Sequence, residues 1–257
     1  MLGAIIGDII GSVHEFVGTK TKDFPLFVPE SKPTDDTVLT IAVADWILSD
    51  GDLVALLRAY TRDYPNCGYG LGYRKWAASG SREPYHSYGN GSAMRASPIG
   101  VAFDTIEEVL SRAERSAAVT HNHPEGIRGA QATAAAMFFA RHIRDKSEIR
   151  RLLEGQFGYD LSSTLDEIRP TYRFNETCQE TVPQALIAFL ESTSYEDAVR
   201  NAISLGGDAD TLACIAGGIA EAFYGGVPEE IAGPGLRLLD ERLTTVVDRF
   251  RERFGSS

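Results

Sequence analysis

Acidic side chains concentrate in three short segments of this 257-residue chain. Glu15 ends the stretch Gly7-Asp8-Ile9-Ile10-Gly11-Ser12-Val13-His14-Glu15, Asp35 and Asp36 lie in Thr34-Asp35-Asp36-Thr37, and Asp208 and Asp210 lie in Gly206-Gly207-Asp208-Ala209-Asp210-Thr211. Brought together by folding, these carboxylates and the neighbouring threonine hydroxyls would make a hard, all-oxygen donor set suited to Mg2+ or Mn2+ rather than to a sulfur-preferring metal. Two like charges about 4 Å apart repel by roughly 4 kcal/mol at an effective dielectric near 20, so the cluster is strained without cations. Asp and Thr ahead of an apolar segment are also ordinary helix caps and first-turn residues. Capping needs one acid, whereas here an acid pair beside threonine opens an apolar segment at both ends of the chain.

The elements that must position these groups read as helices. Val38 to Leu48 is strongly apolar, opened by Thr34 to Asp36 and closed at Asp50-Gly51. Ile106, Val109, Leu110, Ala113 and Ala117 recur at helical spacing, as do Val182, Leu186 and Leu190, and again Leu239, Leu243, Val246 or Val247, and Phe250. Pro124 is placed to start an Ala-rich helix running to about His142, and Asp208 to open one through Ala222 that Gly225-Gly226 ends. No series of alternating β-branched segments separated by hairpin turns is present. The expectation is therefore an all-α fold in a single domain over 1–257. Two irregular stretches, Gly18 to Pro33 and Cys67 to Gly91, are expected to be functional loops.

Composition narrows the function classes. Hydrophobic content of 43% with 24% charged residues is that of a globular protein, and no apolar run approaches the roughly 20 residues that span a bilayer. Met1 to Gly7 lacks a basic leader and runs directly into Asp8, which argues against a signal peptide. The formal charge of -11 disfavours free nucleic acid and anionic membranes as partners. Cys67, Cys178 and Cys214 are odd in number and far apart, which fits free thiols in a reducing cytoplasm. Without a heptad seam or a long exposed apolar stretch, a monomer is expected.

Five segments, in order, resemble the ADP-ribosylglycohydrolase family, the ADP-ribosyl-acceptor hydrolases related to the dinitrogenase reductase-activating enzyme. They are Gly3-Ala4-Ile5-Ile6-Gly7-Asp8 with Gly11, Ser12 and Glu15; Thr34-Asp35-Asp36-Thr37; Tyr88-Gly89-Asn90-Gly91-Ser92-Ala93-Met94-Arg95; Thr120-His121-Asn122-His123-Pro124-Glu125-Gly126; and Gly206 to Thr211 with Ala213. The resemblance implies an all-α fold with two Mg2+ or Mn2+ ions, held by Thr34, Asp35 and Asp36 on one side and Asp208, Asp210 and Thr211 on the other, with Asp36 and Asp210 as candidate bridges. It implies an ADP-ribose cradle in which Asn90, Gly91, Ser92 and Met94 contact the distal ribose and diphosphate. Tyr88 would stack on adenine and His121 would donate to phosphate. His14, His86, His123 and His142 are expected to be structural or solvent-facing.

The implied reaction is hydrolysis at C1 of the distal ribose of ADP-ribose, releasing ADP-ribose from a protein side chain, a nucleobase or a small molecule. The metals would orient ribose hydroxyls and activate water, and carboxylates would stabilise oxocarbenium character. Glu15, Asp36 and Asp210 are the candidate catalytic acids. Glu15 could serve as general acid or base, as a gate, or as an outer ligand, against the alternative of a surface acid on the first helix. Members acting on arginine-linked ADP-ribose would carry an acid just ahead of the Asn-Gly pair, where this chain has Pro84-Tyr85-His86-Ser87-Tyr88, and Ser87 cannot be a base. The rival expectation is a binding module for ADP-ribose or a nucleotide that does no chemistry.

Overall fold

The computed structural model describes residues 1–255, and within them the regular structure is helical apart from one isolated antiparallel bridge between Gly89 and Thr177. Fifteen helices follow in order: α1 Leu2–Gly11, α2 Asp35–Ser49, α3 Leu53–Asp63, α4 Leu71–Ala78, α5 Gly91–Met94, α6 Ser97–Ala102, α7 Ile106–Ala118, α8 Pro124–His142, α9 Lys146–Phe157, α10 Leu165–Ile168, α11 Cys178–Leu190, α12 Tyr195–Ile203, α13 Ala209–Tyr224, α14 Glu229–Leu236 and α15 Glu241–Phe254. Local chemistry sets the ends of those that carry the site. The Thr34 hydroxyl caps α2 by accepting from Asp36 N–H, and α2 ends at Asp50 in the left-handed region with φ 49°. Pro124 sits in the first turn of α8. Gly225 closes α13 with φ 84°, where a side chain would be strained.

Two helices lie at the centre because they are apolar on every side. All ten residues of α1 are buried, and α13 is buried from Ala209 through Ala220. Leu2, Ile6 and Ile10 of α1 face the core shared with α11, α12 and α13. Ile5 and Ile9 face a second core built by α2, α3 and α15. Burying one such aliphatic side chain contributes roughly 1.5–3 kcal/mol. The third face of α1 is glycine. A Cβ at Gly3 would lie 2.4 Å from Gly217 O, one at Gly7 would lie 2.1 Å from Ala213 O, and one at Gly11 would lie 2.5 Å from Asp210 Cα. Only hydrogen side chains let α1 approach the backbone of α13 this closely, and that approach sets the C-terminal end of α1 against the acid-bearing N-terminus of α13.

The segment 67–91, expected to be a loop, contains α4 between Leu71 and Ala78, whose Tyr73 and Trp76 are buried and hold it on the core. The segment 18–33 carries no helix. The helix expected at Val182 begins four residues earlier, at Cys178. Cys67, Cys178 and Cys214 are free thiols. Among the described residues, no helix is long and apolar enough to cross a membrane.

Candidate active site

A cavity of about 310 Å³ opens where the N-termini of α2 and α13, the turns after α1 and the glycine-rich loops meet. Glu15, Asp35, Asp36, Asp208, Asp210 and Thr211 line it, together with Asn90, Gly91, Met94 and His121. One ligand oxygen each from Glu15, Asp208 and Asp210 fit within 4.8 Å of one another, and Thr211 Oγ1 lies 3.4 Å from Asp36 Oδ2. Thr34 is buried behind this wall. Glu15 is half-buried in turns beyond the end of α1 rather than on the helix itself.

Capping does not account for the acids. On α2 the cap is the Thr34 hydroxyl, leaving both Asp35 and Asp36 surplus to it. At the head of α13 the Asp208 side chain makes no cap hydrogen bond; its Oδ2 instead accepts from Asn90 Nδ2 at 2.7 Å. Burial and mutual repulsion raise the proton affinity of the whole group. Asp35, Asp36 and Asp210 are held well above the usual carboxylate range, first by burial and then by neighbouring acids, Asp210 and Asp8 for the first two and Asp208 and Asp8 for the third. Burial lifts Asp208 to about 6, and burial followed by Asp210 and Asp8 lifts Glu15 to about 8. Asp36 Oδ1 is buried without a hydrogen-bond partner among the described residues.

Asp8 is a member of the cluster that residue-by-residue inspection of the sequence passed over. It is fully buried, with its proton affinity raised by that burial. Its Oδ2 accepts from Thr34 N–H at 3.0 Å, Thr37 N–H at 3.1 Å and the Thr37 hydroxyl, and its Oδ1 accepts from the Thr34 hydroxyl at 2.6 Å. These contacts tie α1 to the start of α2 and fix the Thr34 proton toward Asp8. With one lone pair taken by Asp36 N–H, the hydroxyl keeps one to offer elsewhere. The available signal was a lone acid in an otherwise apolar helix. Glu176 was also missed, and it lines the same cavity.

The cradle residues are placed less uniformly. Both amide hydrogens of Asn90 are engaged, one by Asp208 and one by Thr181 Oγ1 at 3.1 Å, and its backbone N–H goes to Glu176 O at 2.7 Å. What Asn90 presents to a ligand is therefore an acceptor. Gly91 and Met94 line the cavity. Ser92 is fully buried and donates to Gly126 O at 2.7 Å, outside the cavity wall. Tyr88 is 49% exposed and packs its ring edge-on against His123, again outside the wall. Tyr85 lines the wall instead, 5.8 Å from the His121 ring centre.

His121 is buried, and burial followed by the charge of Arg95 keeps it well below the usual imidazole range, so it is neutral. Its Nδ1 shares a hydrogen bond of 2.7 Å with the Thr120 hydroxyl, which accepts in turn from Arg95 Nη2 at 2.8 Å. A guanidinium on that oxygen strengthens the hydroxyl as a donor. The Nε2 hydrogen is then left facing the loop, where Cβ atoms at Gly89 and Gly91 would lie 3.7 and 3.3 Å away.

The family model for ADP-ribosylglycohydrolase matches residues 1–257. The chain is 29% identical to ADP-ribosylhydrolase ARH3 of Mus musculus, over 88% of this chain and 82% of that protein. It is 26% identical to ADP-ribosylarginine hydrolase Tri1 of Pseudomonas putida, over 90% of this chain and 71% of that one. A solved structure titled ADP-ribosylglycohydrolase-related protein complex superposes with a TM-score of 0.68 at 25% identity, covering 98% of this chain and 96% of that one. With an all-helical fold, an acid-lined cavity at the junction of α1, α2 and α13, and a family match along its entire length, the chain belongs to the ADP-ribosylglycohydrolase family.

Proposed function

We propose that this chain hydrolyses the bond between the anomeric carbon of the distal ribose of ADP-ribose and an acceptor group, with two Mg2+ or Mn2+ ions as cofactors. The observation that carries this reading is the convergence of Glu15, Asp35, Asp36, Asp208 and Asp210, from three segments of the sequence, on one cavity that Gly68, Gly70, Gly72, Gly89 and Gly91 also line. The donor set fits hard divalent ions. It is all oxygen, its carboxylates repel one another, and Asp36 Oδ1 is buried with no protein partner. Thr34, Asp35, Asp36, Asp208, Asp210 and Thr211 would hold the ions. Bound there, the cations would neutralise the acids, orient ribose hydroxyls and polarise water.

The chain's own groups divide the remaining work. Glu15, at the mouth and within reach of the Asp208 and Asp210 oxygens, is placed to pass a proton between water and the leaving group. Carboxylates around the anomeric carbon oppose the positive charge that builds as the bond breaks. His121, neutral and facing Gly89 and Gly91, can donate to a phosphate oxygen. Met94 and the glycines leave room for backbone to approach the sugar.

The acceptor is set at the mouth. Ser87 stands where an acid would favour an arginine linkage, yet Glu176 lines the same cavity from the α11 side and supplies a second acid there. The named activities of relatives include arginine-linked substrates, which keeps that linkage in the test panel. Arginine-linked, serine-linked, O-acetyl and nucleobase-linked ADP-ribose are offered with Mg2+, Mn2+ or chelator, and free ADP-ribose is measured. Chelator-sensitive release from one member supports the hydrolase and names its linkage. ADP-ribose binding with release from none would make the chain a binding module.

A further inference from the structure

Arg95 is the largest fully buried side chain in the protein. Its Nη2 donates to Ser116 O and Thr120 Oγ1, both at 2.8 Å, while Nε and Nη1 have no hydrogen-bond partner among the described residues. It forms no ion pair there either, although the same cavity gathers six carboxylates, those of Glu15, Asp35, Asp36, Glu176, Asp208 and Asp210. Its titratable neighbours are instead Tyr73, Tyr85 and Cys178, whose proton affinities burial raises, so that they bring no negative charge near neutrality. Burying a cation with no anion is costly unless something else supplies the charge.

Position suggests what does. Arg95 lines the cavity that holds the acid cluster but is separated from it by a sequence of contacts. Asp208 is bonded to Asn90, Gly91 abuts His121, and His121 reaches Arg95 through Thr120. The cavity therefore carries acids on its wall and an unpaired guanidinium buried behind it, joined through neutral hydrogen-bonding groups. A ligand that matches this has polyhydroxyl character at one end and a delocalised anion a few bonds away.

We propose that Arg95 is the fixed counter-charge for the diphosphate of the bound nucleotide, acting from beneath the Gly89–Gly91 loop. The assignment rests on the ADP-ribose reading above and extends it to a residue whose side chain could equally be taken for packing. A guanidinium suits the task because it stays charged when buried, so it can oppose the phosphate charge through the wall and, through Thr120, polarise His121.

The test measures binding of ADP-ribose and of adenosine, which lacks phosphate, to wild type, Arg95→Gln and Arg95→Met in Mg2+ buffer, with melting temperatures for each. Both variants should bind ADP-ribose about 10- to 100-fold more weakly and adenosine as wild type does. Arg95→Met removes an unpaired buried charge but also the bonds to Ser116 O and Thr120 Oγ1, so the two effects oppose and its melting temperature should stay near that of wild type. ADP-ribose affinity unchanged in both variants would overturn the assignment. So would loss of adenosine binding together with a lowered melting temperature in both, which is the behaviour of a packing residue. If wild type binds no ADP-ribose, the ligand reading fails separately, and inorganic phosphate and diphosphate then decide. An anion that raises the melting temperature of wild type but not of Arg95→Met keeps Arg95 as an anion site, and no such anion removes it.

Discussion

Replacing Asp8 by Asn removes a charge and also reverses one hydrogen bond. An Asn oxygen at the Oδ2 position still accepts from Thr34 N–H, Thr37 N–H and the Thr37 hydroxyl, but at the Oδ1 position an NH2 group now meets the Thr34 hydroxyl across 2.6 Å. Thr34 must turn its own proton away and accept instead. Because it already accepts from Asp36 N–H, both lone pairs are then used and none is left for a cation. One neutral hydrogen bond is exchanged, so stability should change by about 1 kcal/mol, whereas Asp8→Ala orphans all four donors and should cost roughly 4 kcal/mol or more. Disturbing a group that orients a ligand typically costs about 10- to 100-fold in metal affinity. Mn2+ titration followed by electron paramagnetic resonance, with a thermal melt alongside, reads both effects. Lost charge and a reversed hydroxyl are separated by a cycle with Thr34→Val. If Asp8 acts through the hydroxyl, the double variant binds Mn2+ no more weakly than Thr34→Val alone. Fully additive losses would refute the orientation argument, and Mn2+ affinity of wild-type strength in Asp8→Asn would refute any role for Asp8 in metal binding.

Other expectations follow from the same geometry. In chelator, Asp208 and Glu15 titrate near 6 and 8 in the folded chain against 3.8 and 4.5 for the free side chains. The folded state thus binds more protons than the unfolded between about pH 4 and 8, and these groups make it less stable as pH rises across that window. His121, held neutral by burial, acts oppositely below its usual range, so the diagnostic is the gain in melting temperature on adding Mg2+, which should grow from pH 5 to 8; a gain that shrinks with pH would contradict the clustering. Gly7→Ala drives a methyl into Ala213 O and should destabilise by at least about 3 kcal/mol in denaturant melts, while an effect under about 1 kcal/mol would mean that α1 is free to shift. Glu15→Gln should leave Mn2+ affinity within about threefold while lowering kcat by about 100-fold; unchanged turnover would remove Glu15 from proton transfer.

Much of the fold was legible because its start and stop signals are local. Thr34, Pro124 and Gly225 act through atoms a few residues away, and the helices they bound appear where the sequence puts them. The acids that converge were equally visible as pairs beside threonine. Asp8 was not, because its partners are 26 and 29 residues distant and nothing in an apolar helix announces them. Whether a cradle side chain faces the ligand depends on which side of its loop is clamped. For Tyr88, Asn90 and Ser92 that is decided by pairing with Glu176 to Cys178 and by Gly126, almost ninety residues away in the first case. Helix α4 was hidden because glycine and tyrosine flank it, and it forms by burying Tyr73 and Trp76 rather than by propensity.

The glycine face of α1 settles which parts of this molecule can be rewritten. With Gly3, Gly7 and Gly11 pressed on the backbone of α13, neither helix can turn or slide without collision, so Asp8 of α1 and the cavity acids Asp208 and Asp210 at the head of α13 sit on a single keel. The segments that rim the cavity, 12–33, 67–90 and 173–177, lie outside that keel, the first held on the core by Phe24, Leu26 and Phe27 and the second by Tyr73 and Trp76. Exchanging a rim segment for that of a relative should therefore retarget the acceptor while the centre keeps its shape, whereas one methyl added along the keel would be felt at every carboxylate at once.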